Sequence, residues 1–204
     1  VNIDNYDEFK TCFEEIAEKR GHVLVEQFIK GKEYRFTFVK NEIIAVANRV
    51  PANVVGDGVH TIKELVQLKN KERILRNNPI HKKLKRDKES KRILEKQGLS
   101  FSSIPKKGEQ IFLRHNSNIA TGGDAVDVTN IVNPEIKETI RKAIVDIPGL
   151  RVGGADVIIH EDNYHILEIN AHAMLGMHHY PWEGEVQEVI PKVIDAMFPE
   201  TSNQ

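Results

Sequence analysis

The chain is expected to fold as an α+β protein, antiparallel sheets flanked by helices, and three observations lead there. Two strand-like runs, 34–39 and 42–50, are separated only by Lys40-Asn41, a connection short enough for a hairpin. A second pair, 157–159 and 164–169, flanks Glu161, Asp162 and Asn163, residues that favour turns. Around these pairs stand segments whose apolar residues repeat at helical spacing, at both ends of the chain and at 134–145.

Residues 2–19 open the chain as an amphipathic helix with Phe9, Phe13 and Ile16 on one stripe. A first residue Val1 and a helix that starts at once suggest the interior of a longer protein. A strand at 22–28 is expected next, making an antiparallel meander with 34–39 and 42–50. The loop PANVVGDG, 51–58, is glycine-rich, but it has neither the lysine nor the glycine spacing of a Walker motif, so a structural turn is favoured over a phosphate loop. Thr61, with Glu64 three residues on, is placed to cap a helix over 62–70.

Residues 69–96 carry twelve Lys or Arg against four Asp or Glu. Such a run is a solvated face, a wall that concentrates anionic substrates, or a nucleic-acid surface. No aromatic side chain is interleaved to stack on bases, and no nucleic-acid partner is expected. A strand at 110–113 leads into a loop, 114–129, whose Asn116, Asn118, Thr121, Gly122 and Gly123 offer donors and close backbone approach to an anion. A helix over 134–145 buries Ile136, Ile140 and Ile144, and the last helix covers 186–198.

Composition sets limits on function. The net charge of −1 argues against a chain dedicated to polyanions. The single cysteine, Cys12, rules out an internal disulfide and a cysteine-based zinc site. No run approaches the roughly 20 apolar residues of a membrane span, and no secretory signal is visible, so a cytoplasmic location and no membrane partner are the default. A homodimer is allowed for.

The hairpin around 156–170 holds the strongest chemical signal. Glu168 and Asn170, two residues apart on a strand, share a face, while Leu167 and Ile169 take the other. Folding about Asp162 and Asn163 sets Asp156 opposite Glu168, within one residue of register. Two carboxylates and an amide oxygen suit a hard divalent cation, Mg²⁺ above all, which implies phosphates to complete its coordination. The plainer alternative is polar residues on the wet face of a hairpin. The small, turn-like 171–176 and the run Met177-His178-His179-Tyr180-Pro181-Trp182 favour a site mouth, with His172, His178, His179 and Trp182 bordering a pocket.

Upstream, Glu26 to Ile29 could offer an apolar slot edged with backbone groups for adenine, and Glu33 an acceptor for ribose hydroxyls; surface salt bridges are the alternative for both glutamates. Taken with the hairpin, VEQFIKGKEYRF (25–36), RVPANVVGDGVHTIKELVQLKN (49–70) and FLRHNSNIATGGDAVDVT (112–129) resemble the C-terminal part of the ATP-grasp superfamily over nearly the whole chain. Glutathione synthetase modules of bifunctional glutamate–cysteine ligases and the cyanophycin synthetases look nearest.

The resemblance implies ATP and Mg²⁺, with Mn²⁺ as a substitute, and an enzyme that joins a small-molecule carboxylate to an amine through an acyl phosphate. It assigns Glu26, Gln27, Phe28 and Ile29 to adenine, Glu33 to ribose, and Asp156, Glu168 and Asn170 to the metal. Arg35, Arg49, Arg114 and Asn118 become candidates for phosphate or acyl-phosphate contacts. The whole chain, 1–204, is then the C-terminal portion of one ATP-grasp domain, with 50–110 as a helical, basic insertion. The family's glycine-rich loop and phosphate-binding lysines precede the matched region, so a chain of this extent is expected to be inactive alone. AHAML, 171–175, departs from the family pattern. A phosphotransferase on the same fold and a degenerate ATP-binding module are the competing readings.

Overall fold

A computed structural model of the protein describes residues 3, 5–145 and 147–201, in two units, 1–30 and 31–204. In the first unit, helix α1 (Tyr6–Arg20) starts where the Asn5 side chain accepts the Glu8 amide at 2.9 Å. It stops where Gly21, at φ 74°, returns its N–H to Ala17. The expected start at Asn2 lies outside the described residues. Phe9, Phe13 and Ile16 line a groove of about 710 Å³ with Val23, Leu24 and Val25. The strand expected at 22–28 is not there: 22–30 carry no ladder. A strand is defined by a partner, and the described part of this unit offers only a helix.

The second unit is built on a five-stranded antiparallel sheet of β1 (Lys32–Val39), β2 (Glu42–Val50), β5 (Asp124–Asp127), β6 (Val152–His160) and β7 (Asn163–Asn170), in the order β5-β2-β1-β6-β7. Two hairpins supply most of it. The Lys40-Asn41 turn joins β1 to β2 and the Glu161-Asp162 turn joins β6 to β7, with Lys40 and Glu161 at positive φ, as tight hairpin turns require.

Alternation then gives the sheet two unlike faces. Phe36 and Phe38 of β1, Val46 of β2, and Ala155 and Val157 of β6 point to one side, where helix α4 (Pro134–Val145) lays its Ile136, Ile140 and Ile144 stripe across them. The interleaved residues Glu33, Arg35, Thr37, Arg49 and Asp156 occupy the opposite face.

The stretch 50–110 folds around a second core. Strands β3 (Asn53–Val55) and β4 (Gln110–Phe112) pair, and helices α2 (Ile62–Leu75) and α3 (Lys88–Lys96) contribute to a cluster of Val54, Ile62, Leu65, Val66, Leu84, Leu94, Ile111 and Leu113. The Thr61–Glu64 capping box forms as expected, although α2 runs to Leu75 instead of ending near 70. PANVVGDG is only partly the expected turn: Asn53–Val55 are strand β3, and the chain turns after them. Asp57 accepts the Val59 and His60 amides, and a Cβ at Gly56 would lie 2.2 Å from the Lys106 carbonyl. The chain closes with α5 (Gly176–His179) and α6 (Val189–Met197).

Ile140 is fully buried beneath the sheet, whereas Ile131 is mostly exposed. Ile140→Ala is expected to cost about 2–5 kcal/mol in denaturant unfolding, and Ile131→Ala no more than about 0.5 kcal/mol.

Candidate functional site

The polar face of the sheet is organised by one buried carboxylate. Asp156, in the middle of β6, lies beside Arg35 of β1 in register. Arg35 grips it with two hydrogen bonds, Nε to Oδ1 at 2.5 Å and Nη2 to Oδ2 at 2.9 Å. Arg49, from β2, adds Nη1 to Oδ2 at 3.0 Å and reaches Glu33 Oε1 at 2.8 Å. Burial pushes the Asp156 carboxyl up, but the hydrogen bond and charge of Arg35, with the charge of Arg49, outweigh it and hold the group below the usual aspartate value. The guanidinium of Arg35 lies across β6 because residue 154 is glycine: a Cβ there would sit 2.6 Å from Arg35 Cδ.

The hairpin brings Glu168 opposite Asp156 and Asn170 opposite Gly154. Strict alternation is broken between Asp156 and Val157, where β7 carries one extra residue, Leu167. Ile166 and Ile169 both pack toward the α4 core, three positions apart, and Leu167 is half exposed instead of facing the core with Ile169. Asn170 turns its amide nitrogen to Glu168 Oε1 at 2.8 Å, which leaves its oxygen for a cation. Asp156 Oδ1 accepts one bond from Arg35 and keeps a second lone pair. Asp156, Glu168 and Asn170 thus form an all-oxygen donor set, the chemistry a hard cation takes. Among the described residues no three His, Cys, Asp or Glu side chains gather as a metal site, and a cation held here would take the Asn170 oxygen as its third protein ligand.

The structure brings Glu33, Arg35, Arg49, Asp156, Glu168 and Asn170 onto one face of the sheet. Glu26, Gln27, Phe28 and Ile29 belong to the first unit, on its strand-free segment. Arg114 is buried, with Nη2 on Asp87 at 2.6 Å, Nε near Glu89 at 3.2 Å and Nη1 on the Leu113 carbonyl at 2.8 Å. Asn118 accepts the Ala120 amide at 2.9 Å and caps a 3₁₀ turn over Ile119–Thr121. That turn ends at Gly122, φ 104°, and Gly123 packs so closely that a Cβ would lie within 3.1 Å of three backbone carbonyls.

Three features were not legible in the sequence. Ser117, buried in the 114–123 loop, donates its hydroxyl to Glu33 Oε2. His178, expected at a pocket rim, is instead buried beneath the polar face and shares a 2.7 Å hydrogen bond with Thr37. Trp182 is also buried, ringed by Lys69, Arg73 and Arg76 at 5.3, 5.3 and 4.1 Å from its centroid, with His81 edge-on at 5.7 Å. Lys69 and Arg73 both reach Asp124 at 2.5 Å, so three cations of the basic run serve an internal anchor. His172 and His179 are more open, and His179 accepts the Ile190 amide at 3.3 Å.

Two predictions follow from these buried charges. Asp124→Ala leaves Lys69 and Arg73 without their anion and is expected to cost about 3–5 kcal/mol in unfolding free energy. The second concerns acid. Burial pushes His81 and His178 down to about 4, against the opposing charges of Asp124 and Asp127, respectively, and with Arg35 and His179 adding to the depression at His178. In the unfolded chain both titrate near 6.5, so between 6.5 and 4 the unfolded state binds more protons and stability falls as pH falls. His178→Gln is expected to flatten the slope of unfolding free energy against pH across that window, and an unchanged slope would refute the assignment.

No family model matches the chain. It is 37% identical over 202 residues to the bifunctional glutathione biosynthesis protein of Clostridium perfringens, covering 94% of this chain and 26% of that protein. Identity to the Streptococcus agalactiae counterpart is 39% over 190 residues, covering 87% and 25%. A crystal structure of a bifunctional glutathione synthetase from Pasteurella multocida superposes with a TM-score of 0.71 at 34% identity, over 85% of this chain and 25% of that one. The chain spans about a quarter of the length of these relatives. Among the described residues no helix is long and apolar enough to cross a membrane.

Proposed function

Because this chain is a homologue of the bifunctional glutathione biosynthesis proteins and has the fold of the ATP-grasp superfamily, we propose that it forms part of an ATP- and magnesium-dependent ligase that joins a carboxylate to an amine in glutathione biosynthesis. Residues 1–204 are then the C-terminal portion of one ATP-grasp domain, with 50–110 as its helical insertion, working in the cytoplasm. The observation that carries the reading is the cluster Glu33–Arg49–Asp156–Arg35 beside Glu168 and Asn170, two guanidiniums and a set of oxygen ligands on one face.

A carboxylate is a poor acyl donor until phosphorylated, so the protein's work is alignment and charge neutralisation. Arg35 and Arg49 supply positive charge for the transferring phosphoryl group. Glu33 receives the ribose hydroxyls. Asp156, Glu168 and the Asn170 oxygen would hold Mg²⁺, with Mn²⁺ as a substitute, and the ion would neutralise phosphate charge. Arg114 and Asn118 support the site through the 114–123 loop, since their polar atoms already hold that loop in shape.

The test is ATP turnover by the intact protein with its acid and amine substrates. Asp156→Asn and Glu168→Gln are each expected to abolish Mg-dependent ADP release while the thermal transition persists; normal turnover in both overturns the metal assignment. ADP release with a stable phosphorylated product would identify a phosphotransferase instead, and ATP binding without ADP release a degenerate module.

A further inference from the structure

Glu33 is held from both sides. Arg49 donates to Oε1 at 2.8 Å, and the Ser117 hydroxyl donates to Oε2. A carboxylate offers about four lone-pair sites, so each oxygen keeps one. Glu33 remains about a quarter exposed, while Ser117 is 4% exposed. The carboxylate therefore presents both oxygens outward in a fixed orientation, the acceptor pattern that a vicinal diol matches with two hydroxyl donors.

The hydroxyl of Ser117 is itself built into place. Arg114, tied to Asp87 and Glu89, anchors the start of the loop on the first turn of α3. Asn118 caps the turn that follows, and the Gly123 N–H closes back on the Asn118 carbonyl at 3.2 Å. Gly123 permits this only for want of a side chain, since a Cβ would meet the Val50, Asn118 and Ser117 carbonyls at 2.8, 3.0 and 3.1 Å. Ser117 reaches Glu33 across 84 residues of sequence.

We propose that Ser117 is a positioning residue for nucleotide recognition: it fixes the Glu33 carboxylate so that both oxygens accept the 2′- and 3′-hydroxyls of a ribonucleotide. This rests on the reading of Glu33 as the ribose acceptor. A hydroxyl that merely packs the loop would affect every nucleotide alike, whereas one that orients Glu33 affects only nucleotides carrying the diol.

Calorimetric titration of the intact protein with ATP and with 2′,3′-dideoxy-ATP separates these roles. Ser117→Ala is expected to weaken ATP binding roughly tenfold, the scale of a hydrogen bond to a charged group, and to leave the dideoxy nucleotide within about twofold. Ser117→Cys, nearly isosteric and a weaker donor, is expected to fall between and covers the event that the alanine variant does not fold. In a Glu33→Gln background the effect of Ser117→Ala on ATP is expected to vanish. Equal loss for both nucleotides, or no loss for either, overturns the proposal while a diol preference abolished by Glu33→Gln keeps the ribose reading intact. A wild-type protein that binds both nucleotides equally overturns the Glu33 reading and the proposal with it, and one that binds neither overturns the proposed function as well.

Discussion

A buried carboxylate between two guanidiniums is the constraint on which the polar half of this fold depends. Removing Asp156, Arg35 or Arg49 from water costs several kcal/mol per ion, repaid only if the geometry is good and the remaining hydrogen-bonding capacity is met. The sheet meets that condition by register. Arg35 pairs with Asp156 across β1 and β6, and Glu33 with Arg49 across β1 and β2, so each charge faces its partner with no loop intervening. Small residues surround them, with Gly154 beneath the Arg35 stem and Ala45 and Ala47 on the same face of β2. The opposite face needs no such arrangement, because aromatic and branched side chains meet α4 there and exclude water by packing alone.

A second buried carboxylate serves as an internal anchor. Asp124 also takes two cations, Lys69 and Arg73, along with the Asn53 amide at 2.9 Å. Trp182 is fitted among the cations, which ties the basic helix α2 to the loop before α6. Asp156 likewise accepts three hydrogen bonds, two from Arg35 and one from Arg49. The two carboxylates differ in their surroundings: Asp156 stands opposite the exposed Glu168, whereas Asp124 faces Asn53, Lys69 and Arg73.

The sequence showed the elements better than their company. Hairpins, the Thr61 cap and the Ile136-Ile140-Ile144 stripe were legible because each depends on neighbours within a few residues. Segment 22–28 has strand composition yet no ladder, since composition cannot supply a partner. The basic run looked like a solvated face or a substrate wall; that Lys69, Arg73 and Arg76 converge on Trp182, more than a hundred residues away, has no local signature. Ser117 was hidden for the same reason. One serine in a polar loop is unremarked until the fold sets Glu33 against it.

The finest determinant of the polar face is a single unpaired residue. Counted back from the Glu161-Asp162 turn, a regular ladder pairs His160 with Asn163 and Val157 with Ile166, and would continue by pairing Asp156 with Leu167. Because the side-chain period is two, that register would turn Leu167 and Ile169 toward Asp156 and send Glu168 into the α4 core as an uncompensated charge. The bulge at Leu167 shifts the count by one. Ile166 and Ile169 then both reach the core, while Glu168 stands opposite Asp156 and Asn170 opposite Gly154 on the polar face. The alternation in ILEIN specifies which residues share a face only beyond the bulge, so the hydrophobic core enforces the bulge and the bulge in turn sets Glu168 and Asn170 on the face of Asp156.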